Sequence, residues 1–242
     1  MRLLRALRST AREAGAYARQ AMLIHRDLGD VVPRDVATGD MVVVLVHGLL
    51  ATAGVLRPLR AALERHRGVH VASFTYAPGP GAEEVAARLE RLLGAVPAGA
   101  DVHLVGHSLG GIVARHYAVT RDDHRVRGTV TLATPFGGVR GAALLGLPFS
   151  RDIAETSSVL RAIRLARPAR PIPHLSIIAG DDALTRTPVA HALPGGDVVV
   201  LEGRGHNGML FDREAIGLVE RRLLGARDTP TRPFAGVVPR DP

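Results

Sequence analysis

From residue 41 onward, short and wholly apolar runs alternate with stretches whose apolar positions recur every three or four residues. Residues 41–48, MVVVLVHG, form a β-branched run of strand length that ends on a glycine, and residues 54–66, GVLRPLRAALERH, then carry helical spacing. The pattern repeats: HVASFTY (70–76) as a strand, GAEEVAARLERLLGAV (81–96) as a helix with Glu83 and Glu84 in the first turn, where the helix dipole favours them. DVHLVGHS (101–108) and VRGTVTLATP (126–135) are further strands on either side of the helical LGGIVARHYAVTRD (109–122). HLSIIAG (174–180) and DVVVLEG (197–203) give two more, and FDREAIGLVERRLLG (211–225) closes as a helix. Strands that are apolar on both faces and each followed by a helix predict an α/β fold: a mostly parallel sheet of about six strands covered by helices on both sides.

Three segments depart from the alternation. Residues 139–173 hold the apolar piece AALLGLPF, a helical DIAETSSVLRAIRLA and the proline-rich RPARPIP, which predicts a small helical cap of short elements inserted into the domain. Residues 1–30 precede the alternation and contain an amphipathic helix: Leu4, Leu7, Ala11, Ala14 and Ala18 share one face, the face expected to dock on the domain. The same helix, with Arg2, Arg5, Arg8 and Arg12, also has the composition of a peripheral contact with an anionic membrane. It lacks the uninterrupted apolar core of a secretory signal, although its scarcity of acidic residues leaves a transit peptide open, so a cytoplasmic or membrane-peripheral place is the expectation. Residues 227–242, rich in proline, arginine and aspartate, are expected to form a loose tail beyond the domain at 31–226.

Composition changes this picture mainly by exclusion. The 242 residues suit one domain with a large core, and no run reaches the eighteen or so apolar residues of a membrane helix. With no cysteine, disulfides, thiolate metal sites and cysteine nucleophiles are excluded. All 31 basic residues are arginine, which removes Schiff-base and Ser–Lys chemistry. The net charge of +8 could suit nucleic acid, but aromatic residues make up 3% of the chain and the arginines are dispersed, so no nucleic-acid partner is expected.

The candidate chemistry sits at the strand ends. GHSLG, residues 106–110, places Ser108 between a strand and a helix in a G-x-S-x-G turn. Such a turn holds the serine backbone in a strained conformation and lifts its hydroxyl above the carboxyl end of the sheet, with the Leu109 amide aimed where an oxyanion would form. A serine hydroxyl needs a base. Among eleven histidines, His206 lies just past the last strand in the glycine-rich GRGHNG, while His107, beside Ser108 in the chain, is aimed elsewhere by the turn and reads as packing. The base in turn needs an acid, and GDD after the penultimate strand offers Asp182, with Asp181 as the alternative. At the first strand's exit, LVHGLL offers the Leu49 amide as a second oxyanion donor and puts His47 where it would line the pocket.

Through VVLVHGLL, HLVGHSLGGIVARHYA, VTLATPFGG and GHNGML, over roughly residues 41–224, the chain resembles the α/β-hydrolases, in particular the bacterial lipases and esterases. The resemblance implies a Ser108–His206–Asp182 triad, the amides of Leu49 and Leu109 as oxyanion donors, and an ester or lipid as small-molecule substrate; no cofactor is expected, and because no residue pattern matches the structural calcium that some of these lipases bind, no metal is expected either. In TPFGG the family often has histidine at the third position; Phe136 there implies a more apolar wall, and Leu144 and Leu145 of the cap are the other expected substrate contacts. The same triad could serve an acyltransferase, a thioesterase or an amidase, because it does not select the leaving group. A non-catalytic binding module is the reading from a different class.

Overall fold

The computed structural model describes residues 2–146, 148–184 and 188–228. A long helix, α1 (Arg2–Leu23), precedes the first strand, β1 (Met41–Val46). There follow α2 (Arg57–Leu63), β2 (Val69–Ser73), α3 (Ala82–Leu93), β3 (Asp101–His107), α4 (Leu109–Thr120) and β4 (Val126–Leu132). After β4 come the short α5 (Pro148–Asp152) and α6 (Ser158–Leu165), then β5 (His174–Ala179), β6 (Asp197–Leu201) and α7 (Arg213–Asp228). The six strands form one sheet in the order β2-β1-β3-β4-β5-β6, and every pairing is parallel.

The run MVVVLV explains why the sheet is covered twice. Val42, Val44 and Val46 of β1 point into a cluster with Val85 and Leu89 of α3, Ile112 and Val113 of α4 and Leu160 of α6. Met41, Val43 and Leu45 point the other way, to Leu59 and Leu63 of α2 and Ala215 and Val219 of α7. Each such side chain, taken wholly out of water, contributes ~2 kcal/mol of hydrophobic stabilisation. The first strand thus contributes to both layers of the core.

Three local expectations are corrected. Residues 152–166 do not form one helix: α5 ends at Asp152 and α6 begins at Ser158, where the Ser157 hydroxyl caps the new helix by accepting the Leu160 N–H at 3.1 Å. Asp152 is used elsewhere, taking the Ala82 N–H at 2.6 Å and so capping α3. The loose tail cannot begin at 227, because α7 runs to Asp228; residues 229–242 lie outside the described residues.

The third correction concerns α1. Ala11, Ala14 and Ala18, on the face expected to dock, are exposed, and the opposite face meets the domain: Ala16 is buried, and Ser9, Glu13, Gln20 and Leu23 are partly buried. The side chains of Leu4 and Leu7 lie outside the described residues. The physical reason is that alanines offer little area to bury, whereas Glu13 on the other face finds strong hydrogen-bond donors in the domain. No helix among the described residues is long and apolar enough to cross a membrane.

Candidate active site

The order of strands fixes where a site can form. The chain steps from β1 outward to β2, returns across to β3 on the other side of β1, and then advances stepwise. The direction reverses between β1 and β3, whose carboxyl ends are adjacent, Val46 opposite Gly106. Parallel α/β sheets open a crevice at such a reversal.

Ser108 follows β3 at this point with φ 54° and ψ −123°, a region that non-glycine residues enter only at a cost of about 1–3 kcal/mol. The surroundings hold it there. Its N–H donates to the Leu132 carbonyl at 3.0 Å, and its own carbonyl accepts from the Gly111 N–H at 3.0 Å and the Thr134 hydroxyl at 3.1 Å. The flanking glycines are required by contact: a Cβ on Gly106 would collide with the backbone of Gly110 and Gly111, and one on Gly110 with the carbonyls of Val46 and His47. Leu50 after β1 and Ala133 after β4 also have positive φ, 55° and 48°, so each of these three strands is followed by a non-glycine residue in that region.

His206 and Asp182 arrive from the loops after β6 and β5. The His206 Nδ1 lies 2.7 Å from Asp182 Oδ2, and Asp182 Oδ1 accepts the Leu184 N–H at 2.8 Å. An ionised carboxylate only accepts, so Nδ1 carries the proton and Nε2 is left with its lone pair. Asp182 is buried; Asp181 is half-buried and its N–H donates to the Arg204 carbonyl, so of the two carboxylates Asp182 is the one paired with the imidazole. Among the described residues no hydrogen bond joins Ser108 Oγ to His206 Nε2; in apo enzymes such contacts are often long and tighten with substrate.

The loop after β1 lies against Ser108: a Cβ on Gly48 would stand 3.1 Å from the Ser108 Cβ. Among the described residues the Leu49 and Leu109 amides donate to no protein acceptor. Leu109 is the first residue of α4, where amides have no partner within the helix.

The remaining expected contacts are placed differently. His47 is turned inward. Its ring is buried and stacks on Tyr76 at 4.0 Å, Nδ1 donates to the Gly48 carbonyl at 2.7 Å, and Nε2 accepts the Tyr76 N–H at 3.1 Å. Burial of the ring pushes its pKa down to about 4 against the opposing pull of the Gly48 hydrogen bond, and it acts as a brace for the Gly48 turn. Phe136 is no exposed wall either: it is 1% exposed and packs edge-on against His174, with ring centroids 5.3 Å apart. Leu144 is 90% exposed and contributes no buried contact, and the side chain of Leu145 lies outside the described residues. His107 is buried as expected of a packing residue, and its Nε2 meets the His206 carbonyl at 3.0 Å. Burial foremost, and then the neighbouring His206, push its pKa down to about 3.

Two positions escaped sequence reasoning. Thr134, in ATPFGG, ties β4 to the serine turn, and the motif that contains it was its signal. Glu13 reaches the His206 loop from α1, accepting the Asn207 N–H at 2.8 Å and the Gly208 N–H at 3.0 Å. Its signal was that it is the single acidic residue among the first 26.

Comparison with solved structures finds the same architecture. A Bacillus licheniformis lipase in its mature form superposes with a TM-score of 0.61 at 15% identity, over 82% of this chain and 96% of the lipase. A Pyrobaculum calidifontis esterase gives 0.59 at 18%, over 93% of both chains, and a Paleococcus ferrophilus monoacylglycerol lipase 0.55 at 18%, over 78% of this chain and 95% of the lipase. At these identities the likeness is one of fold. No curated protein matches the chain. The model of the alpha/beta hydrolase family matches residues 43–170, more than half of the sequence and both the β1 exit and the serine turn, and the chain belongs to that family.

Proposed function

We propose that the protein hydrolyses carboxylic esters through an acyl-enzyme on Ser108. The observation that carries this reading is the 2.7 Å His206–Asp182 contact beside a serine held in a strained turn. His206 Nε2, free to accept, takes the Ser108 proton as Oγ attacks the ester carbonyl carbon. The carbonyl oxygen becomes an oxyanion, stabilised by the amides of Leu49 and Leu109. Asp182 holds the imidazole in the useful tautomer and stabilises the imidazolium, which then protonates the departing alcohol. Water deprotonated by His206 attacks the acyl-enzyme, and the carboxylic acid leaves as Ser108 recovers its proton. Leu144, exposed on the 139–173 insertion, is the contact proposed for the acyl chain.

The test is labelling by a fluorophosphonate and turnover of p-nitrophenyl esters of several acyl lengths. Wild type should react with both, and Ser108→Ala should lose labelling and at least ~10³-fold in kcat. A folded wild type inert to both overturns the reading. Added alcohol that captures most of the acyl group would instead make the protein an acyltransferase, and preference for thioesters or amides would reassign the leaving group.

The outward stripe of α1 favours a second element of this function, contact with an anionic lipid surface. Ala11, Ala14, Ala18 and Met22 recur on the exposed side, and Arg12 and Arg19 flank them. An apolar stripe edged by guanidinium groups suits an interface of acyl chains and anionic headgroups. The full chain should co-sediment with phosphatidylglycerol-containing vesicles but not with neutral phosphatidylcholine, and Ala14→Asp/Ala18→Asp should abolish it. Equal sedimentation of that variant removes the membrane from the proposal.

A further inference from the structure

We infer that Glu13 is a positioning residue for this reaction: its carboxylate, carried across on α1, fixes the loop that presents His206. The inference rests on the hydrolase reading for its consequence and on independent geometry for its substance.

The loop needs external support. His206 is preceded by Gly205 and followed by a four-residue 3-10 turn, Asn207–Leu210, whose first N–H groups have no partner within so short an element. Glu13 supplies it. Oε1 accepts the Asn207 N–H at 2.8 Å and its side-chain Nδ2–H at 3.3 Å, and Oε2 accepts the Gly208 N–H at 3.0 Å. These are charge-assisted bonds, about twice as strong as neutral ones, and they place a negative charge at the positive end of the turn. The loop is shaped to receive this group. A Cβ on Gly205 would collide with the Glu13 carboxylate, and one on Gly208 would crowd it at 3.3 Å. The glycines of GRGHNG therefore clear room for an acid that lies almost two hundred residues away in sequence.

Helix α1 joins the two loops that the mechanism uses. Near Glu13, Ala16 is buried and the Arg19 guanidinium lies 5.9 Å above the Phe211 ring. Just beyond its other end, the carbonyls of Ile24 and Arg26 accept the Thr52 hydroxyl at 2.9 and 3.3 Å, three residues past Leu49. From the opposite side, His107 holds the His206 carbonyl. The loop that carries His206 is thus held by His107 at the His206 carbonyl and by Glu13 at the next two amides, while Asp182 holds the ring. A base displaced by about 1 Å loses up to ~10²-fold in rate with little change in substrate binding.

The experiment compares Glu13→Gln, which keeps one acceptor, with Glu13→Ala in the full chain, well below either variant's melting temperature. Three quantities are measured: the fluorophosphonate labelling rate, kcat and KM on a p-nitrophenyl ester, and amide hydrogen exchange across residues 203–211. Glu13→Ala should lower labelling and kcat together by about 10- to 100-fold with KM within about twofold, and Glu13→Gln should recover part of the loss. Exchange at Asn207 and Gly208 should quicken in the same order. A folded Glu13→Ala with wild-type labelling and kcat overturns the inference, as does unchanged exchange at Asn207 and Gly208. If the wild type itself is unreactive, the hydrolase reading falls, and the exchange data alone judge whether Glu13 holds the loop.

Discussion

Asp182 accepts the Nδ1–H of His206 at 2.7 Å on one carboxylate oxygen and the N–H of Leu184 at 2.8 Å on the other, so neither oxygen is free to turn away. The neighbouring Asp181 is half-buried, and its N–H donates to the Arg204 carbonyl. Asp182→Asn should therefore permit the wrong histidine tautomer and lower kcat by ~10³- to 10⁴-fold on a p-nitrophenyl ester at pH 7, while Asp181→Asn stays within about threefold of wild type. Equal losses in the two variants would take the acid role away from Asp182.

The serine turn can be tested by stability as well as by rate. Gly110 passes so close to the carbonyls of Val46 and His47 that a methyl group there must displace backbone rather than a flexible side chain. Gly110→Ala should destabilise the protein by about 3 kcal/mol or more, at the severe end of overpacking. Gly15→Ala on α1, where nothing lies within 4 Å, should be neutral or slightly stabilising. Thermal melts of the two variants read the contrast directly, and a wild-type melting temperature for Gly110→Ala would contradict the close approach.

These two sites also mark what the sequence made legible. The serine turn, the GDD and GRGHNG loops and the strand–helix alternation are local patterns, each set by backbone constraints within a few residues, and all were readable. Where the sequence reading went wrong, the reason was tertiary. Periodicity found an apolar stripe on α1 but could not say that Glu13 on the opposite side would find the Asn207 and Gly208 amides. His47 and Phe136 were expected at the pocket because of their place in the motifs. Their partners, Tyr76 in the segment after β2 and His174 on β5, are remote in sequence and turn them inward. The Ser157 cap that splits the insertion helix was visible only as one of two adjacent serines.

Buried histidines give the fold a defined acid sensitivity. Burial pushes His47 down to about 4 and His107 to about 3, from an ordinary value of 6.5, and His174 is lowered for the same reason. In the unfolded chain these groups take up protons as pH falls through 6.5, while in the native state they stay neutral. The unfolded state then binds more protons, so stability falls with pH between about 6.5 and 4, by ~1.4 kcal/mol per unit for each group. Above pH 7 the contribution is complete and flat. The urea midpoint should hardly change from pH 8 to 7 and should drop clearly from 6.5 to 5, where the unfolding free energy loses about 3 kcal/mol for His47 and His107 together. A midpoint that is the same at pH 5 and pH 7.5 would mean these imidazoles are not held neutral.

Tyr76 links that stability to catalysis. Its hydroxyl donates to the His47 carbonyl at 2.6 Å, its N–H donates to His47 Nε2, and its ring stacks on the imidazole. These contacts fix the residue from which the chain turns to present the Leu49 amide. Tyr76→Phe keeps the stack and removes one bond, leaving a buried carbonyl without its donor at a cost of about 1–2 kcal/mol. For a domain of this size that corresponds to a fall of roughly 2–8 °C in melting temperature. The oxyanion donor would be less firmly placed, so kcat should fall several-fold while KM holds, because the ester carbonyl of the ground state demands less of that amide than the transition state does. An unchanged kcat in a destabilised Tyr76→Phe would show that the brace serves the fold alone, and that the Leu49 amide is held by the Gly48 turn without it.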